Sequence, residues 1–538
     1  MVTEKQTDVA EAIERVPDGS TLKDAVMDAA LKGQATTGYE TMTPWETIKT
    51  FKISTLACFA AAFSAATDGY QIGMNSGIVA NKAFVKQFAT TVDAKGQPAL
   101  ASPVLAGWSS VQSVGQIIGM VGLSFVSSHF GRKVAMYTYW IILACSIVAE
   151  SVGRSWQAWL VAKLLAGIGV GSMQSILPTY ISEVAPVRIR GALLMMYSLW
   201  WTLGTFFAYT AMQTLNKHHP DVYLISIYTQ WAQVGIMLII YIFLPESPAW
   251  CVTRGYMDKA RTSLKRLNKG VRDFNLDHQL QVLVLTVEHE QAVAVEQRRE
   301  HWYSIFRGVD GFRTVVTLWT NLSQQFIGNT LFGTFGTYFF QQAGLADPFK
   351  IKCITEAVQI ATVIIVVLIS DYSGRRLIAC SATTLMWLAC VAIGILGVAR
   401  QVKATDYLLV FFACLWNVGV TANGAAGWGY IGEISSQRLR PYTAGFGAAT
   451  TCVVGVVMGQ LTPYMVNSSK WNWGLKTGWF YAGVGLPFAA GMWLLIPETA
   501  GRSAAELDEL FERKINPWRF AKTETAIQRV VQNEKEQS

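Results

Sequence analysis

Long runs of apolar positions alternate with short polar ones along this chain, and a helix that spans a bilayer needs about 20 mainly apolar residues. On that rule the pattern predicts spans near 52–78, 104–127, 134–153, 157–180, 191–211 and 226–244, and six more near 313–340, 350–370, 377–398, 406–432, 441–465 and 477–496. Between the two sets, 245–312 is polar and charged, with helical periodicity around Asp258–Leu267 and Leu280–Glu300, and reads as a linker domain. Residues 1–50 are mixed in charge and weakly periodic, a tail with room for one short amphipathic helix around Leu22–Leu31. Residues 497–538 form a second tail with a helical start at Ala504–Lys514. The prediction is an all-α membrane protein whose twelve helices fall into two halves, 51–244 and 313–496.

The two halves repeat one another. Pro178-Thr-Tyr180-Ile-Ser182-Glu183 closes an apolar run and is followed by Arg188-Ile-Arg190; Trp428-Gly-Tyr430-Ile-Gly-Glu433 and Arg438-Leu-Arg440 do the same. Glu183 and Glu433 are 250 residues apart, as are Arg190 and Arg440. Gly131-Arg132-Lys133 recurs as Gly374-Arg375-Arg376, and Pro245-Glu246-Ser247 as Pro497-Glu498-Thr499. Transporters built from two such repeats bind substrate between the pseudo-symmetric halves and expose it alternately to each side.

Composition supports the membrane reading: 51% of the 538 residues are hydrophobic and 15% charged. The net charge of +8 is spread over loops and tails, which fits a lipid bilayer as partner and not a nucleic acid. Most cysteines lie in apolar segments without CxxC spacing, the histidines fall in predicted loops, and no metal or cofactor is expected beyond a proton as coupling ion. No nucleophile elbow or phosphate-binding loop points to an enzyme, and no obligate protein partner is implied. The linker carries Arg254, Lys259, Arg261, Lys265, Arg266 and Lys269, which places both termini in the cytosol, most simply at the plasma membrane. Lys82, Lys86, Lys350, Lys352, Lys470 and Lys476 then fall in loops on the other side, where Asn467-Ser-Ser469 is a glycosylation candidate.

Polar groups inside a bilayer are costly, so those on apolar helices are candidates for lining a watery cavity. Gln324, Gln325, Asn329 and Thr330 cluster on the first helix of the second half, with Asn423 on a later one. The first span carries Asp68, Gln71 and Asn75, and Asp68 lies three residues before Gln71, close to the same helix face. The repeated charges predict a lattice at the cytosolic helix ends: Arg132, Lys133, Glu183, Arg188, Arg190 and Glu246 in the first half, and Asp371, Arg375, Arg376, Glu433, Arg438, Arg440 and Glu498 in the second. Such pairs either set the balance between access states or anchor helix ends and fix topology.

These motifs, together with Pro248, Gln324-Gln325 and Asp371-x-x-Gly374-Arg375-Arg376, resemble the sugar porter family of the major facilitator superfamily. Thr337-Tyr338-Phe339-Phe340, Pro463-Tyr464-Met465-x-Asn467 and Glu506-Leu507-Asp508-x-Leu510-Phe511-Glu512 resemble its fungal maltose and α-glucoside permease branch. The resemblance implies alternating-access transport of a mono- or disaccharide, with Gln324 and Gln325 on sugar hydroxyls and Trp428 stacking on the sugar. It also implies proton symport, and here the sequence departs from the family. Gln71 stands where proton-coupled members commonly carry aspartate, opposite Lys163 in place of an arginine, and Gln116 and Ala448 are likewise neutral. Asp68 is therefore the candidate proton site, biased by Lys163, with facilitated diffusion as the rival. Ser128 replaces an acid of the first-half loop, and Ser198 and Thr451 replace two sugar-binding amides. A hexose, a disaccharide, another glycoside or a less polar polyol all stay open, as do an exporter of a sugar-like metabolite and a sensor.

Overall fold

The computed structural model describes residues 39, 42–92, 96–271, 274–299, 301–345, 347–400, 402–436, 439–499 and 504–523. The tail helix expected around Leu22–Leu31 lies outside them. So do Arg438 and the side chains of Asp371, Trp428 and Glu433.

A short helix, Pro44–Thr50, is closed by a reciprocal cap: the Thr43 N–H donates to Glu46 Oε2 and the Glu46 N–H to Thr43 Oγ1. At Phe51 the chain turns by 97° into the first span, Lys52–Ile78. The second to sixth spans are Ser102–Phe130, Arg132–Val152, Trp156–Val184, Arg190–His218 and Leu224–Phe243. The loop after the first span holds a helix, Lys82–Phe88, and a small antiparallel pairing of Thr91–Val92 with Pro98–Ala99. Between the halves run the helices Pro248–Thr253, Met257–Leu267 and Leu276–Arg299 and a 3-10 turn at Trp302–Phe306.

The seventh span is broken. Gly308–Gln324 passes into a widened helical stretch, Gln325–Thr334, and then Gly336–Gln342, because Ile327 leaves the helical region and Gly328 sits at φ 100°. Only glycine takes that backbone conformation without a steric penalty. The eighth to twelfth spans are Pro348–Ser373, Arg375–Leu396, Lys403–Ile434, Arg440–Val466 and Thr477–Leu495, followed by a terminal helix, Ala504–Glu512. Among the described residues ten helices are long and apolar enough to cross a bilayer unbroken. The bent first span and the broken seventh complete the two sets of six.

Lipid gives little apolar driving force between helices, so close packing must come from small residues. The second and fourth spans meet through such contacts. A Cβ on Gly119 would stand 2.1 Å from the Ile168 carbonyl oxygen, and one on Gly171 2.1 Å from that of Gln116.

The linker packs on one end of the first half. Ser54 Oγ donates to the Leu267 carbonyl, Arg266 to that of Phe243 and Arg254 to that of Ser128. We call this end the linker face. The described hydrogen bonds between the two halves gather towards the other end. Ser102 Oγ donates to the Pro463 carbonyl, Gln460 to Ser110, Gln341 to the Ala80 carbonyl and Gln213 to Asp347.

Candidate functional site

At the linker face the repeated motifs build the same device twice. Glu246 accepts from the backbone N–H groups of Arg132 and Lys133 at 3.0 and 3.1 Å, capping the third span; Glu498 accepts from those of Arg375 and Arg376 at 3.0 and 3.2 Å, capping the ninth. A helix N-terminus exposes unpaired N–H groups and the positive end of its dipole, so a carboxylate belongs there. The second basic residue of each motif reaches the end of the neighbouring helix: Lys133 Nζ donates to the Leu244 carbonyl at 2.8 Å, and Arg376 Nε to that of Ile496 at 2.8 Å. Tyr180 and Tyr430 donate to the carbonyls of Pro245 and Pro497. Arg132 then closes a two-pronged pair with Glu183, at 3.0 and 2.5 Å. Arg188 and Arg190 are exposed and form none of the described ion pairs. Partial desolvation and the Glu183 carboxylate push the Glu290 carboxyl of the linker helix up, against Arg190. Where the first half lacks the family's loop acid, the Ser128 carbonyl takes both the Trp250 indole and the Arg254 guanidinium.

In the interior of the first half, Asp68 is fully buried. Its Oδ2 accepts from Gln174 Nε2 at 3.1 Å and from the Tyr197 hydroxyl at 3.0 Å, while Oδ1 carries no hydrogen bond of good geometry, with Trp201 beside it. Lys163 is not its partner. The ammonium lies 3.8 Å from Glu150 Oε1, donates to Asn75 Oδ1 and sits over the Trp159 ring. Glu150 also accepts from Gln71 Nε2 at 3.1 Å and from Gln230 Nε2 at 2.8 Å. Four helices thus converge on one buried carboxylate that the sequence reading did not single out. The expected pairing of Asp68 with Lys163 is corrected by Glu150, which competes for the cation from the third span. Gln71 and Asn75, expected on substrate, are turned inward on this cluster and are 4% and 9% exposed.

In the second half Gln324 Nε2 donates to Asn423 Oδ1 at 2.7 Å, and Asn423 Nδ2 donates to Ser323 and Thr383. Asn423, expected on the sugar, is fully buried with both its donors used and here braces Gln324. Gln325 and Asn329 are half-buried on the widened stretch and their side chains make none of the described hydrogen bonds, whereas Thr330 is buried. Ser198 is exposed two turns from Thr205, whose hydroxyl meets the other half, and so faces the gap between the halves.

Two further expectations are corrected. Lys352 lies inside the eighth span, 5% exposed, and not in a loop. Asn467 is 6% exposed, and its Nδ2, the atom a glycan would need, donates to Ser102 Oγ at 3.0 Å.

The profile of the sugar (and other) transporter family matches residues 57–511. This chain belongs to that family. A general alpha-glucoside permease of Saccharomyces cerevisiae is 29% identical over 85% of this chain and 75% of its own length. The MFS transporter fmqE of Aspergillus fumigatus is 29% identical over 97% of this chain and 98% of its own. A partially occluded inward-open structure of the xylose transporter XylE from E. coli superposes with a TM-score of 0.67 over 85% of this chain and 100% of that one, at 16% identity. The protein is a multi-pass membrane transporter of the major facilitator fold, and not an enzyme.

Proposed function

We propose that this transporter moves a hexose or an α-glucoside across the plasma membrane by alternating access, coupled to a proton, with its termini and linker in the cytosol. The sugar sits between the halves against Gln325, Asn329, the braced Gln324 and Ser198, and the family resemblance adds Trp428 as the stacking residue. Half-buried amides without internal partners can each donate to and accept from sugar hydroxyls. The general alpha-glucoside permease named above supports the substrate class, and the basic linker supports the orientation.

The observation that carries proton coupling is Asp68. It is a fully buried acid on the first span, tied through Tyr197 to the helix that carries Ser198, and one of its oxygens carries no hydrogen bond of good geometry. An intramembrane acid of this kind is suited to carry a proton with the substrate and discharge it as access changes. The repeated charge sets at the linker face then serve as the gate: Arg132 and Glu183 pair within their half here and are free to re-pair across the halves when that face closes.

Facilitated diffusion is the second reading, favoured by the Glu150–Lys163 pair. That pair neutralises itself and leaves no open carboxylate oxygen near Gln71. Uptake of labelled glucose, maltose and other sugars in cells lacking their own transporters, with and without a protonophore, separates the two. Accumulation that collapses with protonophore, and is lost in Asp68→Asn, supports symport. Equilibrating uptake that ignores the protonophore supports the facilitator.

A further inference from the structure

The deepest described contact between the halves involves charges that the transport scheme above does not use. Thr205 lies at the middle of the fifth span, and its hydroxyl donates to Glu356 Oε2 of the eighth span at 2.9 Å. The other oxygen of Glu356 accepts from Lys352 Nζ at 2.9 Å, one helical turn earlier. Lys352 also donates to the Phe332 carbonyl at 3.1 Å, on the widened stretch of the seventh span, and stands over the Tyr209 ring. Both charged residues are nearly sealed, at 5% and 4% exposure. Next to them is a cavity of about 10 Å³ lined by Phe332, Phe340, Lys352, Thr355, Trp416 and Asn417.

Burying two charges costs more than a surface pair returns, and a hydrophobic pair of similar volume would hold two helices together as well or better. The chemistry of this site needs another account. A carboxylate accepts only, so Glu356 must be given a donor in every state of the transporter. Here the donor is a hydroxyl from the opposite half. Alternating access requires the fifth and eighth spans to part at this depth when the gap opens away from the linker face. Thr205 then leaves with its half, and Glu356 Oε2 faces the open gap on a wall braced by Lys352.

We propose that Glu356, positioned by Lys352, is a substrate subsite that binds a sugar hydroxyl in the state open away from the linker face. The Thr205 hydroxyl occupies the same acceptor in the state described here. Exchange of one hydroxyl for the other ties hand-over of the substrate from this subsite to closure, because Thr205, returning with its half, competes for Glu356 Oε2. The subsite selects a solute with a hydroxyl at one fixed position, and it rests on the sugar-transport reading above.

The test uses the full-length protein in liposomes, with glucose, maltose and the monodeoxy analogues of whichever is carried. Wild type is expected to lose affinity about tenfold for one deoxy analogue. Glu356→Gln is expected to lose a similar factor for the complete sugar and nothing further for that analogue, so the two losses do not multiply. Glu356→Asp keeps the charge pair but withdraws the acceptor, and should show the same pattern if the glutamine variant fails to fold. Thr205→Val should keep the discrimination against that analogue. Losses that multiply for every deoxy analogue, or discrimination abolished by Thr205→Val, would overturn the subsite while leaving sugar transport standing. Wild type that carries none of these sugars would overturn both.

Discussion

Lys163 stands 3.8 Å from Glu150 and makes no ion pair with Asp68. The two fully buried acids of the first half are thereby separated in role: Glu150 is held by a cation and two amides, and Asp68 keeps an oxygen without a well-formed hydrogen bond. Removing one member of a buried pair leaves an uncompensated charge, which costs about 3–5 kcal/mol, whereas replacing both with neutral groups of similar size costs much less. Glu150→Gln or Lys163→Met alone should lower the melting temperature of the purified protein sharply, and the double variant should recover most of the loss. Equal loss in the double variant would show that the pair is not the interaction at stake.

The caps on the third and ninth spans form a matched pair. Glu246→Ala and Glu498→Ala each remove a carboxylate that serves two N–H groups at a helix start, and loss of an N-terminal cap costs about 0.5–2 kcal/mol. The two variants should be destabilised by similar amounts in thermal melts. A large difference between them would break the symmetry argument.

Asn467→Gln should leave the electrophoretic mass unchanged with or without glycosidase, because the amide of Asn467 is bonded inside the protein. It should still weaken transport, since its partner Ser102 belongs to the other half and also bonds the Pro463 carbonyl. A glycosidase-sensitive wild-type band that vanishes in the variant would contradict this placement.

The amides of the seventh span separate by role as well. Gln325→Ala and Asn329→Ala should each raise KM about tenfold, the order expected for a lost hydrogen bond of about 1.4 kcal/mol, with stability little changed. Asn423→Ala should lower stability as well as transport, because it orphans Gln324 and removes the Thr383 contact. Melting curves beside uptake kinetics distinguish the two outcomes.

Most of the fold could be read from hydropathy, since a spanning helix must satisfy its own backbone and so writes a long apolar run into the sequence. The break in the seventh span could not. Its run holds amides but no proline, and the interruption depends on the backbone angles at Ile327 and Gly328. Glu150, Lys352 and Glu356 did leave a signal, a charge within an apolar run, but Lys352 lies close enough to the helix start to be taken for a loop residue. The amides were legible as polar groups in the membrane. Which of them face the gap and which brace other side chains depends on packing between helices, as Asn423 and Gln71 show.

Proton coupling through Asp68 is tested most directly by reconstituting the protein into liposomes, imposing an inward proton gradient and following labelled glucose and maltose. It predicts accumulation above the external concentration, abolished when the gradient is collapsed, and lost in Asp68→Asn while exchange of sugar across the membrane continues. Accumulation that persists in Asp68→Asn, or uptake that never exceeds equilibrium in the wild type, would contradict proton coupling through Asp68.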